Sequence, residues 1–267
     1  MPPADPSSEQ SAEARDAVEA LVHRHGDTIY GLGLQVCGSP EDAEEMVQQT
    51  FLNAYRSWDS FEGRAKPTTW LYTIARRVCT RMRRPRAGEP AHLETLDELL
   101  PRGEATVADA SALDPHRERL AGEARETVER GLAELPLDFR LPLVLVDVAE
   151  LSIAEAAEVL GVKPATVKTR VHRARLKLRQ AVDATLPQKS VPPAPPMAEA
   201  QVCLSMLEAK QQALDREVDF PYADAALCER CRGVFAALDL GREACRAVGR
   251  GAMPAAVRER LRGLLDG

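Results

Sequence analysis

The 267-residue sequence has no run approaching the ~20 consecutive apolar residues that a membrane span requires. Its start, Met1-Pro-Pro-Ala-Asp-Pro-Ser-Ser-Glu-Gln10, has neither a basic head nor an apolar stretch. No secretory leader and no membrane partner are therefore expected, and the expected location is cytoplasmic. Thiols stay reduced there, so clustered cysteines point to metal or redox chemistry rather than structural disulfides. A Gly-rich phosphate loop, a Ser/His/Asp set and paired carboxylates are all missing. The histidines (His23, His25, His92, His116, His172) are scattered, and His23 and His25, two apart, do not share a helix face. Nothing argues for an enzyme or a small-molecule substrate. Alternating strands are missing too. The apolar periodicity is helical, and an all-α fold of two or three small domains is expected.

Charge, in contrast, is present and segregated behind a net −6. Residues 1–62 carry twelve acids against three bases. Residues 64–88 carry eight bases and no acid, and residues 163–179 carry seven bases and no acid. Local patches of this kind, not net charge, govern affinity for nucleic acid. A single basic run is often only a solvated helix face; two acid-free runs are stronger evidence.

The organisation expected is a helical domain at 12–85, a linker at 86–121, a second helical domain at 122–186, a Pro-rich spacer at 187–196 and a cysteine-bearing segment at 197–250. In the first domain, helices are expected over 12–25 and 27–37. Ser39-Pro40-Glu41-Asp42 is a helix start, with a Ser cap, Pro in the first turn and acids at the positive end of the dipole. Ala43, Met46, Val47, Phe51 and Ala54 form the core stripe of that helix. A polar loop with Trp58, Phe61 and Gly63 leads to a helix from about Pro67 to Arg84. The linker is expected to hold one short helical piece. Five prolines in 187–196 favour an extended spacer. Two or three short helices are expected in 197–250.

The sharpest local signal lies in 150–180. Ser152–Leu160 is a short amphipathic helix, Gly161-Val-Lys-Pro164 a turn, and Ala165–Leu178 a second helix. Ala157, Gly161 and Val167 fall at helix-turn-helix spacing: a small residue for close crossing, Gly for the turn, an apolar anchor on the second helix. Val167, Val171 and Leu178 form the buried stripe. Lys163, Thr166, Lys168, Thr169, Arg170 and Arg173 are left to reach base edges and phosphates. An ordinary charged two-helix hairpin is the bland alternative.

The stretch Glu134-Leu-Pro-Leu-Asp-Phe-Arg-Leu-Pro-Leu through Leu178 resembles region 4 of the extracytoplasmic-function sigma factors, the small two-domain members of the sigma-70 family. Gly38–Arg56 resembles the polymerase-binding helix of their region 2. Phe61–Arg84, with Thr69-Trp-Leu-Tyr-Thr-Ile-Ala-Arg-Arg77, resembles their −10 reader. The resemblance covers about two-thirds of the chain, in the family's order. It implies binding to core RNA polymerase (β′ coiled coil, β flap), with Asp42, Glu45, Gln48 and Gln49 as candidate contacts to the β′ coiled coil. It implies −10 recognition by Trp58, Phe61, Arg64, Thr69, Trp70, Arg76 and Arg77, with aromatic faces stacking on flipped bases and Arg neutralising phosphate. It implies −35 recognition by the second helix of the helix-turn-helix. Acids at a helix start also merely complement the dipole, and Trp70 fits a core as well as a base platform.

Cys203-x24-Cys228-x2-Cys231-x13-Cys245 offers four thiolates and no nearby His. Four sulfurs at one point would suit a soft, tetrahedral metal. Asp224, with Cys228 and Cys231, resembles the His-x3-Cys-x2-Cys of zinc-binding anti-sigma domains, with Asp in place of His. The fused tail resembles the CorE-like, metal-responsive sigma factors. Copper-responding members of that group carry a further Cys-x-Cys, and none follows Cys231, so the resemblance favours zinc or cadmium over copper. Buried small hydrophobes and a dithiol redox switch remain open for these cysteines. Cys37 and Cys79 lie in apolar stripes and read as core. A regulator of another class, a metal- or redox-responsive helix-turn-helix protein acting without polymerase, would have no use for residues 38–84.

Overall fold

The computed structural model describes residues 6–37, 39–63, 65–82, 90–100, 106–112, 117–191, 197–223, 226–249 and 251–266. The fold is all-α, with one two-stranded ribbon. Helix α1 (Pro6–Cys37) is continuous, where the sequence suggested a break between residues 25 and 27. It runs through Gly26 because Val18, Leu21, Val22, Ile29, Leu32 and Val36 share one buried face. That burial outweighs the ~1 kcal/mol cost of a helical glycine. Helix α2 (Pro40–Arg56) starts as expected, with the Ser39 hydroxyl accepting from the Asp42 amide at 3.1 Å. Its buried residues include the whole expected stripe. Helix α3 (Pro67–Met82) packs across α1 and α2 and completes the first half.

The linker contributes a single helical turn, α4 (Leu96–Leu99), and strand β1 (Thr106–Ala108). No strand was legible in the sequence. β1 pairs antiparallel with β2 (Gln188–Ser190), Val107 opposite Lys189, so linker and spacer form one ribbon. Three-residue strands have no periodicity to read. They pair because the intervening helices bring distant segments together, and the Asp183 carboxylate accepts from the Ala108 amide at 3.0 Å.

The second half holds α5 (Arg117–Glu134), α6 (Leu137–Leu143), a π-helical segment (Val144–Val148), α7 (Ile153–Leu160) and α8 (Pro164–Asp183). Pro142, inside α6, has no N–H for the helical ladder. The ladder then slips to wider bonds, the Ala149 amide donating to the Val144 carbonyl at 2.9 Å. The tail holds α9 (Met197–Arg216), α10 (Glu229–Gly249) and α11 (Ala255–Asp266). These are longer than the short helices expected, and α11 lies beyond residue 250.

The three parts share one core. Helix α10 packs on α5, α8, β1 and the π segment, and its C-terminal end meets α1. Two glycines permit this. A Cβ on Gly233 would lie 2.5 Å from the Ala108 carbonyl oxygen, and one on Gly249 would lie 2.4 Å from Val148. α11 lies on α1 and α2, and α3 packs on α7, so the two halves touch directly as well.

Candidate nucleic-acid interface and metal centre

The helix-turn-helix forms as its residues require. The Ser152 hydroxyl accepts from the Glu155 amide at 3.2 Å, and the Glu155 carboxylate accepts from the Ser152 amide at 3.0 Å, a reciprocal cap. Gly161 ends α7 at φ +69°, the left-handed conformation glycine adopts freely. Pro164 opens α8, and Val167, Val171 and Leu178 are buried.

On the outer side of α8, Lys163 and Thr169 are exposed and Thr166, Lys168, Arg170 and Arg173 are partly exposed. Arg170 donates to Asp138 at 3.1 Å. Arg173 stacks over Phe139, 4.8 Å from the ring centre, and donates to the Leu93 carbonyl at 3.2 Å. Lys177 pairs with Glu94, and Gln180 donates to the Glu98 carbonyl at 3.3 Å. The acidic turn at 93–98 thus lies along the basic face of α8.

In the first half, Trp58, Phe61 and Trp70 form one cluster. Their ring centres are 5.5 Å (Trp58–Phe61), 5.8 Å (Trp58–Trp70) and 5.0 Å (Phe61–Trp70) apart. All three are half-buried. Arg77 is exposed, Arg76 partly so, and Thr69 is buried in the helix packing. Arg64 lies outside the described residues. Asp42, Glu45, Gln48 and Gln49 share the outward side of α2. Gln49 donates to Glu45 at 2.6 Å and accepts from Arg81 at 2.6 Å.

Three of the four tail cysteines converge. The sulfurs of Cys203 on α9 and of Cys228 and Cys231 at the start of α10 lie within 4.8 Å of one another. Cys228 is exposed and caps α10, its sulfur accepting from the Cys231 amide at 3.4 Å. Partial burial opposes its ionisation. The Cys231 and Arg230 amides and the neighbouring thiols outweigh this and hold it below the ordinary thiol value. Burial first, then the Cys228 sulfur, pushes Cys231 up. Burial first, then the Cys228 charge, does the same to Cys203. The first thiolate therefore forms at a helix N-terminus open to solvent, a favourable place for a soft cation to begin binding. Three sulfurs suit zinc, cadmium or another thiophilic ion, with a further position left to another donor.

Cys245 is not part of this group. It sits on the same continuous helix as Cys231, fourteen residues on, which at 1.5 Å per residue is ~21 Å away. Burial pushes its thiol up, and it lies beside Asp147, Arg175 and Arg242. Asp224 lies outside the described residues. Cys37 and Cys79 are buried, with their sulfurs 3.6 Å apart.

A set of residues not singled out from the sequence joins tail to helix-turn-helix. Arg175, 4% exposed, donates to both oxygens of Asp147 on the π segment at 2.8 and 2.7 Å. It also donates to Asp215 on α9 at 2.6 Å and to the Gln211 side chain at 3.3 Å. His172 meets the other Asp215 oxygen at 2.7 Å, and Gln211 donates to the His172 carbonyl at 3.1 Å. Arg242 on α10 lies 3.7 Å from Asp147. Burial would raise the Asp215 carboxyl, but His172 and Arg175 hold it below its ordinary value. The sequence held two signals: an acid inside the apolar run Leu143–Val148, and an arginine four residues after Val171 on a buried stripe.

A helix-turn-helix with a basic outer face, behind a helical half with an aromatic cluster and an acidic surface helix, is the layout that the resemblance to sigma factors implies. Residues 21–88 match the family model Sigma-70 region 2, and residues 125–178 match Sigma-70, region 4. The ECF RNA polymerase sigma factor SigW of Bacillus subtilis is 33% identical over 62% of this chain and 89% of its own. SigM of Mycobacterium tuberculosis is 34% identical over 61% of this chain and 76% of its own. SigE of Mycolicibacterium smegmatis is 33% identical over 60% of each. A solved structure of CnrH with the cytosolic domain of CnrY aligns at 25% identity and TM-score 0.43, over 65% of this chain and 95% of that one. The chain belongs to the ECF RNA polymerase sigma factors, which bind core RNA polymerase and promoter DNA. Both family matches end before the cysteine-bearing tail. Among the described residues, no helix is long and apolar enough to cross a membrane.

Proposed function

We propose that this sigma factor works in the cytoplasm under the control of a thiophilic metal ion held by its own tail, at Cys203, Cys228 and Cys231. The observation that supports this most directly is the convergence of those three sulfurs where α9 meets the start of α10. Zinc and cadmium suit the all-sulfur donor set. The ion would fasten α9 to the start of α10. It shifts activity only through its different affinity for the docked and undocked arrangements of the tail. In this reading Asp42, Glu45, Gln48 and Gln49 seat α2 on the β′ coiled coil, and region 4 also meets the β flap. Trp58, Phe61, Arg64, Trp70, Arg76 and Arg77 hold the −10 strand, with Thr69 packing behind the ring cluster. Lys163, Thr166, Lys168, Thr169, Arg170 and Arg173 read the −35 element. The grouping with CorE-like factors and a regulatory domain spanning 197–250 belong to the same proposal.

Elemental analysis of the purified full chain, paired with run-off transcription, tests it. One ion per chain is expected. Cys203→Ser, Cys228→Ser and Cys231→Ser should each lose it together with the metal response, and Cys245→Ser should keep it. Full metal content in all three cluster variants would overturn the site.

A further inference from the structure

A second group of thiols lies in the first half, away from the tail. Cys37, the last residue of α1, and Cys79, in the last turn of α3, are 42 residues apart in sequence, yet their sulfurs lie 3.6 Å apart. Both are buried, Cys37 at 8% exposure and Cys79 at 1%. Apolar packing alone accounts for a contact at that distance. Cysteine differs from the other small residues that fill such a site, because two thiols in contact can bond. A disulfide holds its sulfurs at about 2.05 Å, so closing the gap takes roughly 1.5 Å. Side-chain rotation supplies that where the helices are already packed together, as α1 and α3 are.

The chain between the two cysteines carries the candidate contact surface of the first half. Gln48 and Gln49 on α2, the rings of Trp58, Phe61 and Trp70, and Arg76 all fall between residues 37 and 79. A cross-link between the ends of this segment ties α3 to α1 and encloses α2 and the aromatic loop. Such a tie acts mainly on the unfolded chain, which loses the freedom of the closed loop, and the effect grows with loop length. The folded arrangement changes little, because the two sulfurs already touch.

We infer that Cys37 and Cys79 form an oxidation site in region 2, at which a peroxide joins them in a disulfide that staples α1 to α3. Cys37 is the more exposed of the two and meets the oxidant first. Its sulfur takes an oxygen from hydrogen peroxide as the O–O bond breaks, giving a sulfenic acid and water. The Cys79 sulfur then bonds to the Cys37 sulfur and displaces that oxygen as a second water. Two thiols and one hydrogen peroxide thus give one disulfide and two waters, each sulfur losing one electron to the peroxide. Disulfides in a reducing compartment are transient and redox-sensing, and thiol reductants reverse this one. Buried thiols react slowly, so the exposed Cys228 is consumed first and the region 2 pair answers to sustained oxidant. The site is independent of any ion in the tail.

The test uses the full chain. Wild type held in excess hydrogen peroxide is trapped in denaturant with an alkylating agent and mapped by mass spectrometry without reduction. A linked peptide pair holding Cys37 and Cys79 is expected, appearing after Cys228 is oxidised and lost on adding dithiothreitol. Helix content by circular dichroism should be the same before and after oxidation. A chain carrying Cys203→Ser, Cys228→Ser and Cys231→Ser isolates the effect of the staple. Its thermal midpoint should rise by about 5 °C on oxidation. Adding Cys37→Ala should abolish that rise, and the mapping of wild type stands whether or not this variant folds. Recovery of Cys37 and Cys79 alkylated and unlinked, from a chain whose Cys228 has been oxidised, overturns the inference. A linked pair that leaves the midpoint unmoved overturns the staple.

Discussion

A fully buried guanidinium must find several acceptors, and Arg140 finds them across the boundary between regions 2 and 4. Its Nε and Nη2 donate to the Leu135 carbonyl at 3.2 and 3.0 Å, and its Nη1 donates to the Gln35 carbonyl at the end of α1 at 3.3 Å. A methionine there would fill much of the space and leave those carbonyls without this donor. An orphaned buried acceptor costs about 1–3 kcal/mol. Arg140→Met should therefore lower the urea-unfolding midpoint by an amount in that range. Arg77→Ala, on an exposed position, should move it by no more than ~0.5 kcal/mol. An unchanged midpoint for Arg140→Met would show that the bridge carries no stability. At this scale the sequence was half legible. The converging cysteines and the aromatic trio stood out because their residue types are scarce. Arg140 and Arg175 did not, because an arginine amid leucines reads as solvated until a partner distant in sequence is placed beside it. Cys245 was grouped with the other thiols on spacing and context. The length of α10 is what separates it from them.

At the scale of elements, Glu155 serves two helices. Its carboxylate closes the cap of α7 and also reaches Lys66 ahead of α3, at 2.7 Å. The Lys66 ammonium, then the Ser152 hydroxyl and amide, hold Glu155 down to about 2, against the ordinary 4.5. A carboxyl depressed by folding contributes stability that is complete above its unfolded value and is lost as pH falls through its folded value. The contribution should therefore be flat from pH 5 through neutrality and fade between about 4.5 and about 2. Urea unfolding of wild type and Glu155→Gln across that range should show a difference at pH 6 that closes by pH 2. A difference that persists at pH 2 would mean the carboxylate charge is not its source. Ser152→Ala, which removes only the hydroxyl cap, should cost about 1 kcal/mol. The elements of the helix-turn-helix were the most legible, since α7, its glycine turn and α8 are specified by local chemistry. The break inferred near Gly26 was wrong because Gly26 is a place where another element approaches closely, the Met253 side chain, as Gly233 and Gly249 are within α10. In a lone sequence, glycine reads as punctuation instead.

For the whole molecule, size sets the constraint. The nominal −10 and −35 positions are about 25 base pairs apart, ~85 Å of duplex at 3.4 Å per pair. A single compact body of this length has a radius of gyration of ~18 Å and is under ~50 Å across. If both elements are read by the residues proposed above, the closed arrangement, with α3 on α7 and the turn at 93–98 on α8, is too short to span them and is expected to open for initiation. Two kinds of contact could hold it shut. Exposed ion pairs at the rim, such as Lys66 with Glu155, Lys177 with Glu94 and Arg246 with Glu150, are screened by salt and individually weak. The shared apolar core and the buried network around Arg175 are screened far less. If the second kind dominates, small-angle scattering of the metal-free chain should give ~18 Å in ~0.1 M salt and the same value in ~1 M salt, where the Debye length falls to ~3 Å. A rise of several ångströms on adding salt would mean that the rim pairs hold the two halves together, and that ionic strength alone can open the factor.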